Sequence, residues 1–160
     1  MVSSMPAQMG VRGHGRAMHD RIPPMLCHMP TPGMKVLLVE DHLQVRDVVA
    51  RALRGAGYHV SAADSGVAAQ AHAAAERVDA AVIDISLPGM MQGVGFGRWL
   101  RRLWGGVPIV FVTGLMDWEM PEPVPEDRAT RLLRKPFGAL EIVGLVNGLV
   151  RVRSGISLAD

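Results

Sequence analysis

Five polar residues, each placed directly after an apolar run, carry the chemistry this sequence suggests. Glu40 and Asp41 follow Val36-Leu37-Leu38-Val39, and Asp84 follows Ala80-Ala81-Val82-Ile83. Thr113 ends the run that begins at Val107, and Lys135 follows Leu132-Leu133-Arg134. Runs this short and this uniformly apolar are strands buried on both faces. In an open parallel sheet the carboxyl ends of such strands share one edge, where ligands bind. Three carboxylates gathered there repel one another unless a divalent cation lies between them. Hard oxygen donors favour Mg²⁺, with Mn²⁺ as the alternative. A lysine ammonium and a threonine hydroxyl add donors for phosphoryl oxygens. An aspartate beside a cation, facing lysine and threonine, is suited to in-line phosphoryl transfer.

The elements that must position these residues alternate strand and helix. After the first strand, Val45, Val48, Val49, Ala52 and Leu53 recur at helical spacing, and Gly55 and Gly57 punctuate the end. Residues 58–62 form a weaker second strand, and residues 66–77 are alanine-rich and helical. A helix over 96–103 and a closing helix over 140–152 complete the pattern, the latter with Leu140, Val143, Val146 and Val150 on one stripe. Such alternation predicts an α/β fold with helices on both faces of a parallel sheet. Between Thr113 and Leu132 a helix is due, but Pro121, Pro123 and Pro125 stand in it. Proline removes a donor and clashes with the preceding turn, so this helix is expected to be missing or reduced to a turn around 126–130. Gly93-Val94-Gly95-Phe96-Gly97 lacks the spacing and placement of a dinucleotide loop and is expected to be a flexible loop.

Length and composition limit the functional classes. The 160 residues, 49% hydrophobic and 20% charged, suit one soluble domain. A single cysteine excludes a disulfide framework, and no apolar run is long enough to span a membrane. The net charge of +2 is too small to argue for nucleic acid, and the surplus lies entirely in residues 1–33, where Arg12, Arg16 and Arg21 face only Asp20. That stretch holds five prolines, four glycines and six of the eleven methionines, without apolar periodicity. It is expected to be a disordered extension, followed by a domain at 34–153 and a short tail at 154–160.

With these motifs in the order 36–41, 84–90, 110–114 and 133–137, the sequence resembles the receiver domain of two-component response regulators. The resemblance covers about residues 34–153. It implies a flavodoxin-like doubly wound sheet of five parallel strands in the order 2-1-3-4-5. Asp84 would accept a phosphoryl group from a histidine. Asp41, Asp84 and the backbone carbonyl of Ser86 would bind Mg²⁺, with Glu40 holding it through water. Thr113 and Lys135 would contact the phosphoryl group, and the Lys135-Pro136 bond would be cis. The implied partners are a sensor histidine kinase or a histidine phosphotransfer protein, with a downstream protein target, no nucleic acid and no membrane, in the cytoplasm. The only catalysis implied is the domain's own phosphorylation and dephosphorylation. Because few residues follow the closing helix, a stand-alone receiver without an output domain is expected.

Three features depart from the family's pattern or bear on it. Leu132 stands where the family usually has a switching tyrosine or phenylalanine, and the absent helix falls on the same face. The Phe111-x-Thr113-Gly114 pattern resembles receivers with a short fourth segment, which implies that phosphorylation orders this region. The usual glycine after the acceptor appears one place late, at Gly93, which should lengthen a loop and leave the metal site intact. His42, beside the acids, could modulate the pocket. The competing reading is a degenerate receiver that binds partners without phosphorylation; Leu132 favours it, and the retained acids and lysine oppose it. A dehalogenase-type phosphatase would need its nucleophile on the first strand and an acid two residues later, where Ser86 stands here.

Overall fold

The computed structural model describes residues 33–89 and 92–155. The expectations for residues 1–32, for the tail beyond 155 and for Met90-Met91 lie outside the described residues. Five strands, β1 (Lys35–Val39), β2 (His59–Ala63), β3 (Ala80–Asp84), β4 (Ile109–Thr113) and β5 (Thr130–Arg134), form one sheet in the order β2-β1-β3-β4-β5. Every pairing is parallel. Four helices connect or close it: α1 (Leu43–Gly55), α2 (Gly66–Ala75), α3 (Gly93–Trp104) and α4 (Ala139–Arg153).

The apolar runs explain the layers. Side chains alternate across a strand, so β1 sends Leu37 and Val39 to one face and Val36 and Leu38 to the other. The first face meets Ile83, Phe111, Ala69 and Leu100, under α2 and α3. The second meets Val82, Val110, Leu53 and Val146, under α1 and α4. Burying a leucine or phenylalanine side chain contributes about 1.5–3 kcal/mol, which is why β1, β3 and β4 hold the centre of the sheet. The stripe expected on the closing helix is corrected in part. Ile142, Val146, Leu149 and Val150 are buried, whereas Leu140 is 88% exposed, because it lies in the first turn at the sheet's rim.

Residues 93–97 are not a flexible loop; they are the opening turns of α3. Glycine is a poor helix former, but here packing overrides propensity. A Cβ on Gly93 would stand 2.1 Å from the Asp84 carbonyl oxygen and 2.7 Å from the Ile85 Cα, and one on Gly97 would stand 2.6 Å from the Phe111 ring. The helix can therefore approach β3 and β4 only through glycine. Gly93→Ala is expected to destabilise the fold by about 3 kcal/mol, at the upper end of overpacking effects, measured by urea unfolding.

The helix due between β4 and β5 is absent, as the prolines predict. A single 3₁₀ turn at Asp117–Glu119 and a turn at residues 128–129 stand in its place. The turn at 128–129 lies within the expected 126–130, and the 3₁₀ turn at Asp117–Glu119 is an additional element. Three arginines hold this strap: Arg98 pairs with Glu122, Arg101 with Asp127, and Arg134 with Asp117. Arg101 also donates to the carbonyls of Val107 and Ala129 and to the Thr130 hydroxyl. Burial would raise the Asp127 carboxyl, but hydrogen bonds from Arg101, the Thr130 hydroxyl and the Ala129 N–H outweigh it and hold the group below the usual range.

Candidate functional site

Strand register assembles the site. Val39 lies level with Ile83, Asp84 with Val112, and Thr113 with Arg134. The residues that end these strands or follow them, Glu40, Asp84, Thr113 and Lys135, therefore share one edge. Lys135 joins them directly. Its Nζ lies 2.7 Å from Asp84 Oδ2, and 2.8 and 3.0 Å from the Glu40 carboxylate oxygens. Both acid side chains are only 4% exposed, and that of Lys135 is 25% exposed. Asp84 Oδ1 accepts the Ser86 N–H at 2.8 Å. Thr113, fully buried, accepts the Leu115 N–H on its hydroxyl at 2.9 Å. The Lys135-Pro136 bond is cis.

Asp41 stands further out, with Oδ1 3.7 Å from His42 Nδ1. Donor atoms of Glu40, Asp41 and His42 lie within 4.8 Å of one another, and Asp84 is not a member of that group. Every residue predicted for the site is thus at this edge, with Asp84 and Glu40 held on Lys135 and Asp41 flanking them. His42 joins the acidic group through its ring, a role that its adjacency to Asp41 hinted at. Sequence reasoning missed Arg46 altogether, although its guanidinium bonds the loop that carries the acids.

The electrostatics follow from burial. Glu40 is pushed above the usual carboxylate range, chiefly by desolvation and also by the Asp84 charge, against the pull of Lys135 and the His42 N–H. Desolvation works against the Lys135 charge, but its bonds to Asp84 and Glu40 prevail and raise it. Two buried carboxylates, Glu40 and Asp84, share one ammonium, and Asp41 adds a third acid beside Glu40. That donor set, all hard oxygen apart from a single imidazole, fits a divalent cation that would neutralise the excess negative charge.

Leu132 lies on the far side of β5, 37% exposed because no helix covers it. An open groove of about 950 Å³ runs there, lined by Met120, Pro123, Val124, Pro125 and Leu132 among others. It is separate from the Asp84 edge.

A doubly wound parallel sheet with an acidic pair, a buried aspartate, a threonine and a lysine at one edge places the chain in the class of open α/β domains with a polar site at the strand carboxyl ends. The model of the response regulator receiver domain family matches residues 36–147, and the chain belongs to that family. It is 34% identical over 131 residues to the alkaline phosphatase synthesis transcriptional regulatory protein SphR of Synechococcus elongatus, covering 76% of this chain and 50% of that protein. It is 34% identical over 126 residues to the transcriptional regulatory protein PrrA of Mycobacterium leprae, covering 79% and 54%. Among solved structures, the Vibrio cholerae chemotaxis protein CheY4 superposes with a TM-score of 0.60 at 30% identity, over 72% of this chain and 98% of that one. A receiver protein of Sinorhizobium medicae superposes with a TM-score of 0.67 at 25% identity, over 76% and 97%. The chain spans about half the length of the curated relatives it matches, which lend no support to a receiver acting alone. Among the described residues no helix is long and apolar enough to cross a membrane.

Proposed function

We propose that this chain accepts a phosphoryl group on Asp84 from a phosphohistidine of a sensor histidine kinase or phosphotransfer protein, and signals by contact with a protein target. The observation that carries this reading is Lys135 bridging Asp84 and Glu40 from 51 and 95 residues away. An Asp84 carboxylate oxygen attacks phosphorus and a P–O bond forms. The P–N bond to the donor breaks, and its electron pair stays on the imidazole nitrogen. Lys135, now shared between two carboxylates, can turn to the incoming phosphoryl oxygens. The Ser86 N–H beside Asp84 and the Thr113 hydroxyl supply neutral donors at the same edge. Glu40, Asp41, Asp84 and the Ser86 carbonyl would hold Mg²⁺, or Mn²⁺, which would neutralise charge on the transferring group. Apart from forming and hydrolysing its own phosphoaspartate, the domain turns over no substrate. Of the exposed large apolar residues, Leu43, Val67, Met116 and Leu140 all follow strand carboxyl ends. They offer a docking rim for the donor in the cytoplasm.

Incubation with Mg²⁺ and acetyl phosphate, followed by intact-mass measurement, tests this reading: one phosphoryl group is expected. No gain would favour the second reading, a phosphorylation-independent binding module, which the leucine at 132 supports. Asp41→Ala is expected to lower Mg²⁺ affinity on the order of 10-fold or more, by calorimetric titration; unchanged affinity would remove Asp41 from the ligand set.

A further inference from the structure

We infer that Arg46 is a positioning residue for the acidic pair, fixing the β1–α1 loop so that Glu40 and Asp41 present their carboxylates to a cation. This rests on the proposed cation site and extends it to a residue that touches neither cation nor phosphoryl group. Only three residues, Glu40, Asp41 and His42, separate β1 from α1. Arg46 Nη1 donates to the Glu40 carbonyl at 2.8 Å and to the Asp41 carbonyl at 3.1 Å. Its two hydrogens thus serve successive peptide groups, as the planar guanidinium fork allows.

The opposite side of the loop is tied as well. The Glu40 N–H donates to the Ala63 carbonyl at 3.1 Å, and the His42 N–H to Glu40 Oε1 at 3.3 Å. The Arg46 N–H closes the first turn of α1 on the His42 carbonyl at 2.9 Å. With both carbonyls held, neither peptide can rotate, and rotation of either would swing a carboxylate away from its neighbour. Among the described residues Arg46 makes no ion pair within 4.0 Å, so its guanidinium acts on the backbone. A cation in the first turn of a helix opposes the helix dipole, and α1 carries no acid there. The two carbonyls account for its place.

The sign of the effect separates positioning from simple charge. Arg46 is a positive charge beside a site for cations, so its removal should tighten cation binding if charge were its whole contribution. Positioning requires the reverse. The test is titration of the full chain with Mn²⁺, following free Mn²⁺ by electron paramagnetic resonance, with thermal unfolding of the cation-free protein alongside. Arg46→Met keeps the apolar stem and is expected to weaken Mn²⁺ binding on the order of 10-fold, the lower range for partners that orient metal ligands. Arg46→Lys is expected to fall between Arg46→Met and wild type. Unchanged or tighter binding by folded Arg46→Met overturns the inference and leaves the site reading standing. Absence of Mn²⁺ binding by the wild-type chain overturns both. An unfolded Arg46→Met together with wild-type affinity in Arg46→Lys would assign Arg46 to folding alone, which also overturns it.

Discussion

Asp84→Asn is expected to abolish phosphoryl gain from acetyl phosphate and Mg²⁺, a loss on the order of 10³-fold or more, because the amide cannot act as the carboxylate nucleophile that forms the bond to phosphorus. The fold should survive. Asparagine is isosteric and keeps an oxygen for the Ser86 N–H, now held at 2.8 Å. Lys135 retains Glu40 as its partner, and one of two buried like charges is gone. Intact mass after incubation should therefore stay at the unmodified value, while the urea midpoint stays near wild type. A variant that still gains a single phosphoryl group would move the acceptor elsewhere and sink the reading. One that fails to fold would show that Asp84 is needed for packing, and Asp84→Glu, one methylene longer, would then have to be compared.

Lys135→Ala is expected to cost about 2–3 kcal/mol at neutral pH. Removing one partner of a fully buried ion pair costs about 3–5 kcal/mol, and the 25% exposure of Lys135 reduces this. The variant leaves Glu40 and Asp84 facing each other, both buried, with no ammonium between them. The pH dependence has a definite sign. The Glu40 carboxyl already sits above its usual range in the fold, and loss of Lys135 raises it further. The folded state then binds a proton at pH values where the unfolded chain has released it. Stability must fall as pH rises through that interval and recover on acidification. Urea unfolding at about pH 5 and about pH 7.5 should show the deficit shrinking at the lower value, and Mg²⁺ should restore part of it at the higher one. Equal deficits at both pH values, unaffected by Mg²⁺, would show that the two carboxylates do not oppose each other.

The strap has its own lesson. Pro121, Pro123 and Pro125 announced the missing helix, because proline's geometry is local and independent of context. What replaces the helix was not legible. Arg98, Arg101 and Arg134 find their acid partners 17 to 26 residues away, a separation that no local pattern records. Gly93 and Gly97 illustrate the same limit. Propensity marks glycine as a loop former, and only the Asp84 carbonyl and the Phe111 ring pressed against α3 show why a helix needs it there.

The sequence alone determined the alternation of strand and helix, the three central strands and the identity of the residues at their carboxyl ends. These follow from burial on both faces of a sheet, which demands unbroken apolar runs and leaves charge only where the runs stop. Tertiary structure decided which of those charges touch. It put Lys135 on both Asp84 and Glu40, set Asp41 and His42 to one side, bound Arg46 to the loop carbonyls and left Leu132 facing an open groove. Contacts of that kind depend on strand register and on helix approach within an ångström, and no pattern of neighbouring residue types records either.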